Sequence, residues 1–327
     1  MRDSLLQIGA AVALLALLIP SPSAVAEESR EVPPRASEAP NGASGGSSGI
    51  AEDRRECASG SAGACTVLAS RYQNGEGIAR DLKRAEALYQ QACDAGYPPA
   101  CTNWGAMYST GEGVERDLER AAGLYQKACD GGEGQACGDL GWMYESGDGV
   151  AQNLKRAATL YQQACDAGVA YGCVSRGVLY DTGRGGPRAS KRAVVLYRQA
   201  CDAGDARGCG NLGAMYALGR GVAEDFERAV DLYQRACGSG DAAACSNLGA
   251  MYEFGKGVFR DPKLAVSLYR QGCDGGDAGG CSNLGIMYQM GQGVPKDRER
   301  ALALFRQACE DGDEIGCENL RNPAAAR

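Results

Sequence analysis

The feature that most constrains this chain is a pair of cysteines, with seven residues between them, that returns every 36 residues without insertion or deletion. In one copy, Cys93-Asp94-Ala95-Gly96-Tyr97-Pro98-Pro99-Ala100-Cys101, a glycine and a Pro-Pro pair lie between the cysteines, with apolar-periodic sequence on both sides. Cassettes at Cys57/Cys65, Cys129/Cys137, Cys165/Cys173, Cys201/Cys209, Cys237/Cys245, Cys273/Cys281 and Cys309/Cys317 bring the total to all 16 cysteines of the sequence. A fixed period of this length is the signature of one supersecondary unit stacked on copies of itself. A chain of 327 residues is long enough for two ordinary domains, but the unbroken period argues for one elongated repeat domain.

Composition removes several function classes. The sequence holds no histidine, which excludes Ser-His-Asp and Cys-His nucleophile systems, histidine–zinc sites and histidine proton shuttles. A net charge of -7 gives no basic surface for nucleic acid or anionic membrane. The C-x7-C spacing is also wrong for a zinc knuckle, so no metal and no cofactor is expected.

Residues 1–26 read as a secretory signal. Leu5 to Ile19 is an apolar run too short for a comfortable membrane span, Pro20 ends it, and Ala24-Val25-Ala26 matches a small-x-small cleavage site. The alternative is an uncleaved N-terminal anchor. Export places the mature chain, with no membrane span of its own, in the periplasm or outside the cell, where disulfides form. Residues 27–56 are rich in Pro, Ser, Gly, Glu and Arg and are expected to be a disordered linker, being unable to bury enough surface to offset ordering entropy.

The solenoid is expected over 57–322, with repeats starting near 62, 98, 134, 170, 206, 242 and 278 and a short tail at 323–327. In the second repeat, Cys101, Trp104, Gly105 and Tyr108 share one face of a first helix, and Ala121, Leu124, Tyr125 and Ala128 one face of a second. Gly111-Glu112-Gly113-Val114 makes the connection, Asp117 is placed to cap the second helix, and Gly132 sits where a left-handed residue ends it. Asp261-Pro262 marks the same boundary with an N-cap and a first-turn proline. A small residue recurs in the first helix, from Ala69 and Gly105 to Gly285, and suits close helix approach. Tyr72, Tyr108, Tyr144, Tyr180, Tyr216, Tyr252 and Tyr288 should fill the space between helices with hydroxyls at its edge. The start of an eighth first helix, around Cys317 to Leu320, stops at Asn322-Pro323 and caps the stack. The fourth repeat departs from the others: Arg176 replaces Leu or Trp, Gly186-Pro187 replaces the usual Val and its neighbour, and Ala189 replaces the capping Asp. This unit should be the softest, with Ser190 capping its second helix one residue late.

The pattern C-x-x-[LW]-G-x-[ML]-Y-x-x-G-x-G-V, followed by A-x-x-L-Y-x-x-A-C-D-x-G, resembles the Sel1-like repeat, and its paired cysteines resemble the Helicobacter cysteine-rich proteins in particular. The resemblance covers residues 57–320 and implies an all-α fold, a right-handed αα superhelix related to tetratricopeptide repeats. It also implies disulfides within each cassette: Cys57-Cys65, Cys93-Cys101, Cys129-Cys137, Cys165-Cys173, Cys201-Cys209, Cys237-Cys245, Cys273-Cys281 and Cys309-Cys317. Geometry alone leaves a choice, because antiparallel helices would also bring Cys65 near Cys93. That pairing strands Cys57 and Cys317, and the within-cassette pairing is the expectation.

The function expected is that of a non-enzymatic scaffold for a protein or extended peptide, held on the concave face of the superhelix. In tetratricopeptide-like repeats that face is lined by first-helix residues. Two residues after the second cysteine of the cassettes from Cys93/Cys101 onward stand Asn103, Asp139, Ser175, Asn211, Asn247, Asn283 and Asn319, a row of mostly amide side chains able to donate and accept to a peptide backbone. One turn on, the residues diverge, with Ala106, Trp142, Val178, Ala214, Ala250 and Ile286 among them. Trp142, Tyr171, Arg207 and Phe254 are the side chains expected to supply specificity. The competing bland role for the asparagines is local hydrogen bonding at the helix start. A second function class comes from relatives with a β-lactamase or penicillin-binding assignment. Neither the S-x-x-K, S-D-N and K-T-G set nor zinc-binding histidines occur here, so that reading rests on the resemblance alone. A redox or cofactor-handling assembly factor is a third, against which the secretory form of the leading segment speaks.

Overall fold

The computed structural model of the chain describes residues 47–321. The expected signal segment, residues 27–46 of the expected linker and the tail lie outside them. The described residues form sixteen helices and no strand. They divide into two compact units, with the boundary between Arg188 and Ala189. The first unit holds α1 (Ser47–Ala58), α2 (Ala62–Asn74), α3 (Leu82–Asp94), α4 (Pro98–Thr110), α5 (Leu118–Asp130), α6 (Gly134–Ser146), α7 (Leu154–Asp166) and α8 (Ala170–Thr182). In the second are α9 (Ser190–Asp202), α10 (Ala206–Ala217), α11 (Phe226–Gly238), α12 (Ala242–Phe254), α13 (Pro262–Asp274), α14 (Ala278–Met290), α15 (Arg298–Glu310) and α16 (Glu314–Arg321). Even-numbered helices are the first helices of repeats; α3 to α15 of odd number are the second.

The expected linker is corrected at its end, because residues 47–56 belong to α1. Composition made the stretch look unable to fold, yet it stands one period ahead of α3 and ends one residue past Cys57, as every second helix ends one residue past a cysteine. Ile50 is buried, the Asp53 carboxylate meets Arg71 Nε at 2.8 Å, and Arg54 Nη2 donates to the Tyr72 hydroxyl at 3.2 Å. Docking on the first repeat supplies the burial that the segment cannot supply alone.

Second helices begin at a side-chain cap. Asp81, Asp117, Asn153, Asp225, Asp261 and Asp297 each accept the N–H three residues on, at 2.9 to 3.1 Å. The exception is α9. It begins at Ser190 with Ala189, which has no side chain able to cap, in the N-cap place. The boundary between the units falls at this position, in the one repeat whose loop carries Gly185-Gly186-Pro187.

Disulfides close all eight cassettes with Cα atoms 4.5 to 4.7 Å apart, and no cysteine is left free. Each fastens the end of one helix to the first turn of the next, in the tight turn where a left-handed glycine such as Gly132 (φ 88°) reverses the chain. Within a repeat the two helices approach until a side chain no longer fits at the recurring small position. A Cβ on Gly141 would lie 2.8 Å from the Tyr161 ring. The tyrosines of the second helices, Tyr89, Tyr161, Tyr233 and Tyr269, are the side chains sealed in the core. Those of the first helices lie nearer the edge, as expected, and several meet arginine: Arg228 Nη1 and Arg198 Nη2 donate to the Tyr216 hydroxyl at 3.3 and 3.1 Å.

Candidate binding site on the inner helix layer

In each unit, successive first helices touch one another: α2 with α4 in the first, α10 with α12, α12 with α14 and α14 with α16 in the second. No two second helices approach as closely among the described residues. Stacking that is tighter on one side curves each unit toward the first-helix layer, which is therefore its inner face. On α6 that face carries Gln135, Asp139, Trp142 and Ser146, spaced i, i+4, i+7 and i+11. The same positions are Arg207, Asn211, Ala214 and Leu218 around α10, and Ala243, Asn247, Ala250 and Phe254 on α12.

The first unit has a narrow recess with room for about one water molecule. Its walls are Asp139, Trp142 and Met143 from α6 and Tyr171 from α8, closed by Ser109, Leu118 and Tyr125 of the preceding repeat. Three residues singled out from sequence, Asp139, Trp142 and Tyr171, thus come together. Asp139 is buried, and its Oδ1 accepts from Gln135 Nε2 at 3.0 Å. The rings of Tyr171 and Tyr161 meet edge to face at 5.9 Å. Burial pushes both hydroxyls up from the usual tyrosine range, with the Glu145 carboxylate adding to the shift in each.

Glu145 of α6 links the core to the next loop. Its Oε2 accepts from the Tyr161 hydroxyl and its Oε1 from Arg184 Nη1, both at 2.8 Å. Other repeats build the same bridge with different residues. Gln73 accepts from Tyr89 at 3.0 Å and donates to Glu112 at 2.7 Å, and Glu253 accepts from Tyr269 at 2.6 Å. The sequence reading missed this position, as it missed Ser109, Leu118, Tyr125 and Met143 of the recess. The signal lay eight residues after the second cysteine of five cassettes, where Gln73, Ser109, Glu145, Asp181 and Glu253 are polar on an otherwise buried helix side.

The remaining residues of the expected row are distributed along the layer. Asn103 is half-buried on α4 and does not line the recess. In the second unit Asn211 and Asn247 are half-buried and Asn283 is buried. Arg207 Nη2 lies 3.5 Å from Asp205 Oδ2 at the start of α10, and Phe254 is exposed at the end of α12. Asn319 makes the local helix bond, its Nδ2 donating to the Ile315 carbonyl at 2.9 Å. Asn103, Asn211, Asn247 and Asn283 make no side-chain hydrogen bond among the described residues, and none of their amide atoms is sealed from solvent.

The described residues contain no group of three or more Cys, Asp or Glu side chains placed to hold a metal, and no helix long and apolar enough to cross a membrane. Paired helices in a 36-residue register, stapled at each turn, define an all-α repeat solenoid of the superhelical αα type. The family model for the Sel1 repeat matches residues 62–97, 98–133, 134–169, 170–205, 206–241, 242–277 and 278–313, and the chain belongs to the Sel1-repeat family. Among solved structures, a Sel1 repeat protein from Oxalobacter formigenes is similar at 28% identity and TM-score 0.68, over 75% of this chain and 96% of that one. A protective antigen of uropathogenic Escherichia coli strains is similar at 29% identity and TM-score 0.62, over 83% of this chain and 66% of the antigen's length. Cysteine-rich protein B of Helicobacter pylori is 30% identical over 39% of this chain and 92% of its own, with TM-score 0.33. No curated protein matches the chain.

Proposed function

We propose that the chain is an exported scaffold that binds a protein through an extended peptide segment laid along the inner helix layer. The observation that carries this reading is the set of four asparagine amides, Asn103 in the first unit and Asn211, Asn247 and Asn283 in the second, that make no side-chain hydrogen bond among the described residues and are not sealed from solvent. An amide presents one donor and one acceptor group, as a peptide backbone requires, and repetition at one helical register presents Asn211, Asn247 and Asn283 of the second unit in a line. Specificity falls to the residues that vary beside them, Asp139, Trp142 and Tyr171 in the first unit and Arg207 and Phe254 in the second. Export is supported by the eight disulfides, which persist in oxidising compartments. The test is selection of binders to the oxidised chain from a random displayed peptide library, followed by the triple variant Asn211→Ala/Asn247→Ala/Asn283→Ala. The expected result is binders whose affinity falls at least about tenfold in the variant, three lost backbone hydrogen bonds being worth more than the 1.4 kcal/mol of that factor. Unchanged affinity would reject the asparagine grip.

A further inference from the structure

We propose that the inner layer of the second unit selects a peptide with a large apolar side chain at every third residue and a carboxylate beside it; this rests on the peptide-binding reading above. The apolar side chains sit on a strip formed by Leu218, Phe254 and Met290. These three occupy one register, at or just past the ends of α10, α12 and α14, seven residues beyond Asn211, Asn247 and Asn283. Phe254 and Met290 are 37% and 49% exposed, and Leu218 is half-buried. Between the amides and the strip stand Ala214 and Ala250, too small to obstruct a chain laid across the helices. In the first unit the strip register holds Asn74, Thr110, Ser146 and Thr182, so the change from polar to large apolar falls where the chain passes from one unit to the other. Large apolar side chains left in water at one register, rimmed by polar groups, mark a surface that a partner covers.

Charge beside the strip sets the sign of the partner. Two residues past that register the first unit has Glu76, Glu112, Asp148 and Arg184, whereas the second has Arg220, Lys256 and Gln292. The Lys256 ammonium lies 5.0 Å from the Phe226 ring centre and meets no carboxylate among the described residues. A carboxylate on the peptide complements it, and a lysine there is repelled. The spacing follows from the stack, in which α12 touches both α10 and α14. Packed helices lie about 8–10 Å apart. Three residues of a polyproline II strand rise about 9 Å and return to the same face, with no internal hydrogen bonds. Each rung of the strip thus meets every third side chain, and the backbone groups stay available to the amides.

Three blocked peptides with a neutral dye test this by fluorescence anisotropy on the oxidised chain: three repeats of leucine-serine-glutamate, of leucine-serine-lysine and of serine-serine-glutamate. The first is expected to bind at least about tenfold more tightly than the third. Its advantage over the second is expected to be about threefold and to vanish at high salt. Phe254→Thr/Met290→Thr, which installs at two exposed positions the residue that the first unit carries as Thr110 and Thr182, should erase the leucine advantage with the unfolding temperature unchanged. Lys256→Glu should erase the glutamate advantage. A leucine advantage undiminished in the threonine variant overturns the proposal; if that binding is nevertheless lost in Asn211→Ala/Asn247→Ala/Asn283→Ala, in the same unit, the inner-layer reading stands. Binding that neither variant touches overturns both. No binding of the leucine-serine-glutamate peptide overturns the strip alone, since the asparagine grip is judged on peptides selected from the library.

Discussion

The hydroxyl of Tyr233 is sealed in the core of the second unit with no hydrogen-bond partner, because position 217, which should meet it, is alanine. In the repeats around it the residue sixteen before the tyrosine does meet it: Glu145 accepts from Tyr161 and Glu253 from Tyr269. Phe305 shows that the position tolerates a ring without a hydroxyl. Tyr233→Phe should therefore leave stability unchanged or raise it by up to about 1 kcal/mol, whereas Tyr161→Phe and Tyr269→Phe should each cost about 1–3 kcal/mol. Denaturant midpoints measured side by side decide the matter. A loss in Tyr233→Phe as large as in Tyr269→Phe would mean that its hydroxyl is satisfied after all.

The pH dependence follows from four carboxyls whose pKa burial raises: Glu133, Asp241, Glu253 and Asp277. Their raised folded values mean that, above the unfolded value of about 4, the native state binds more protons than the unfolded chain. For these groups stability falls as pH rises through that window and is greatest below it, the reverse of a salt-bridged carboxylate. Thermal unfolding should show the chain more stable near pH ~5 than near pH ~7. Asp277→Asn should flatten that difference; a steeper slope in the variant contradicts the assignment.

The uncapped start of α9 offers a gain. Ala189→Asp restores the residue that caps the equivalent helices and should stabilise the chain by about 0.5–1 kcal/mol, while Asp225→Ala should cost about 1 kcal/mol. Proteolysis gives a second readout, since the Gly185 to Arg188 loop beside the missing cap should be cut more slowly in Ala189→Asp.

The disulfides close loops of nine residues, with a sequence separation of 8 in every case. Each contributes about 2–3 kcal/mol in the chain-entropy view. Reduction should lower the unfolding temperature steeply, and a paired Cys165→Ser/Cys173→Ser variant should lose only its own share, because neighbouring loops do not overlap. Collapse of the whole chain on loss of one pair would show instead that the staples act cooperatively.

Much of this was legible before any coordinates. The 36-residue register gave the helix pairs, because repetition within one chain marks which positions the unit needs: the cysteines, the small residue against the second-helix tyrosine, and Asp117 and its equivalents at the caps. What escaped was set by contacts between repeats. Residues 47–56 looked too polar to fold, since their composition does not show that Asp53 and Arg54 meet Arg71 and Tyr72. The Glu145 bridge escaped because its partners, Tyr161 and Arg184, lie in other helices and loops. Asp139 and Trp142 lie one turn apart on α6 and meet Tyr171 from α8 at one recess, a meeting that no spacing in the sequence marked. Leu118 and Tyr125, which close the recess, belong to a second helix and bore no mark beyond a core pattern.

The most direct test of the account is hydrogen exchange of the oxidised chain, read by mass spectrometry, with and without a peptide selected from the displayed library. Binding along the inner layer predicts slowed exchange in α4, α6 and α8 or in α10, α12 and α14, with the second helices α5, α7, α11 and α13 little changed. Protection confined to the second helices, or to the loops alone, would contradict it and move the binding surface to the outside of the solenoid.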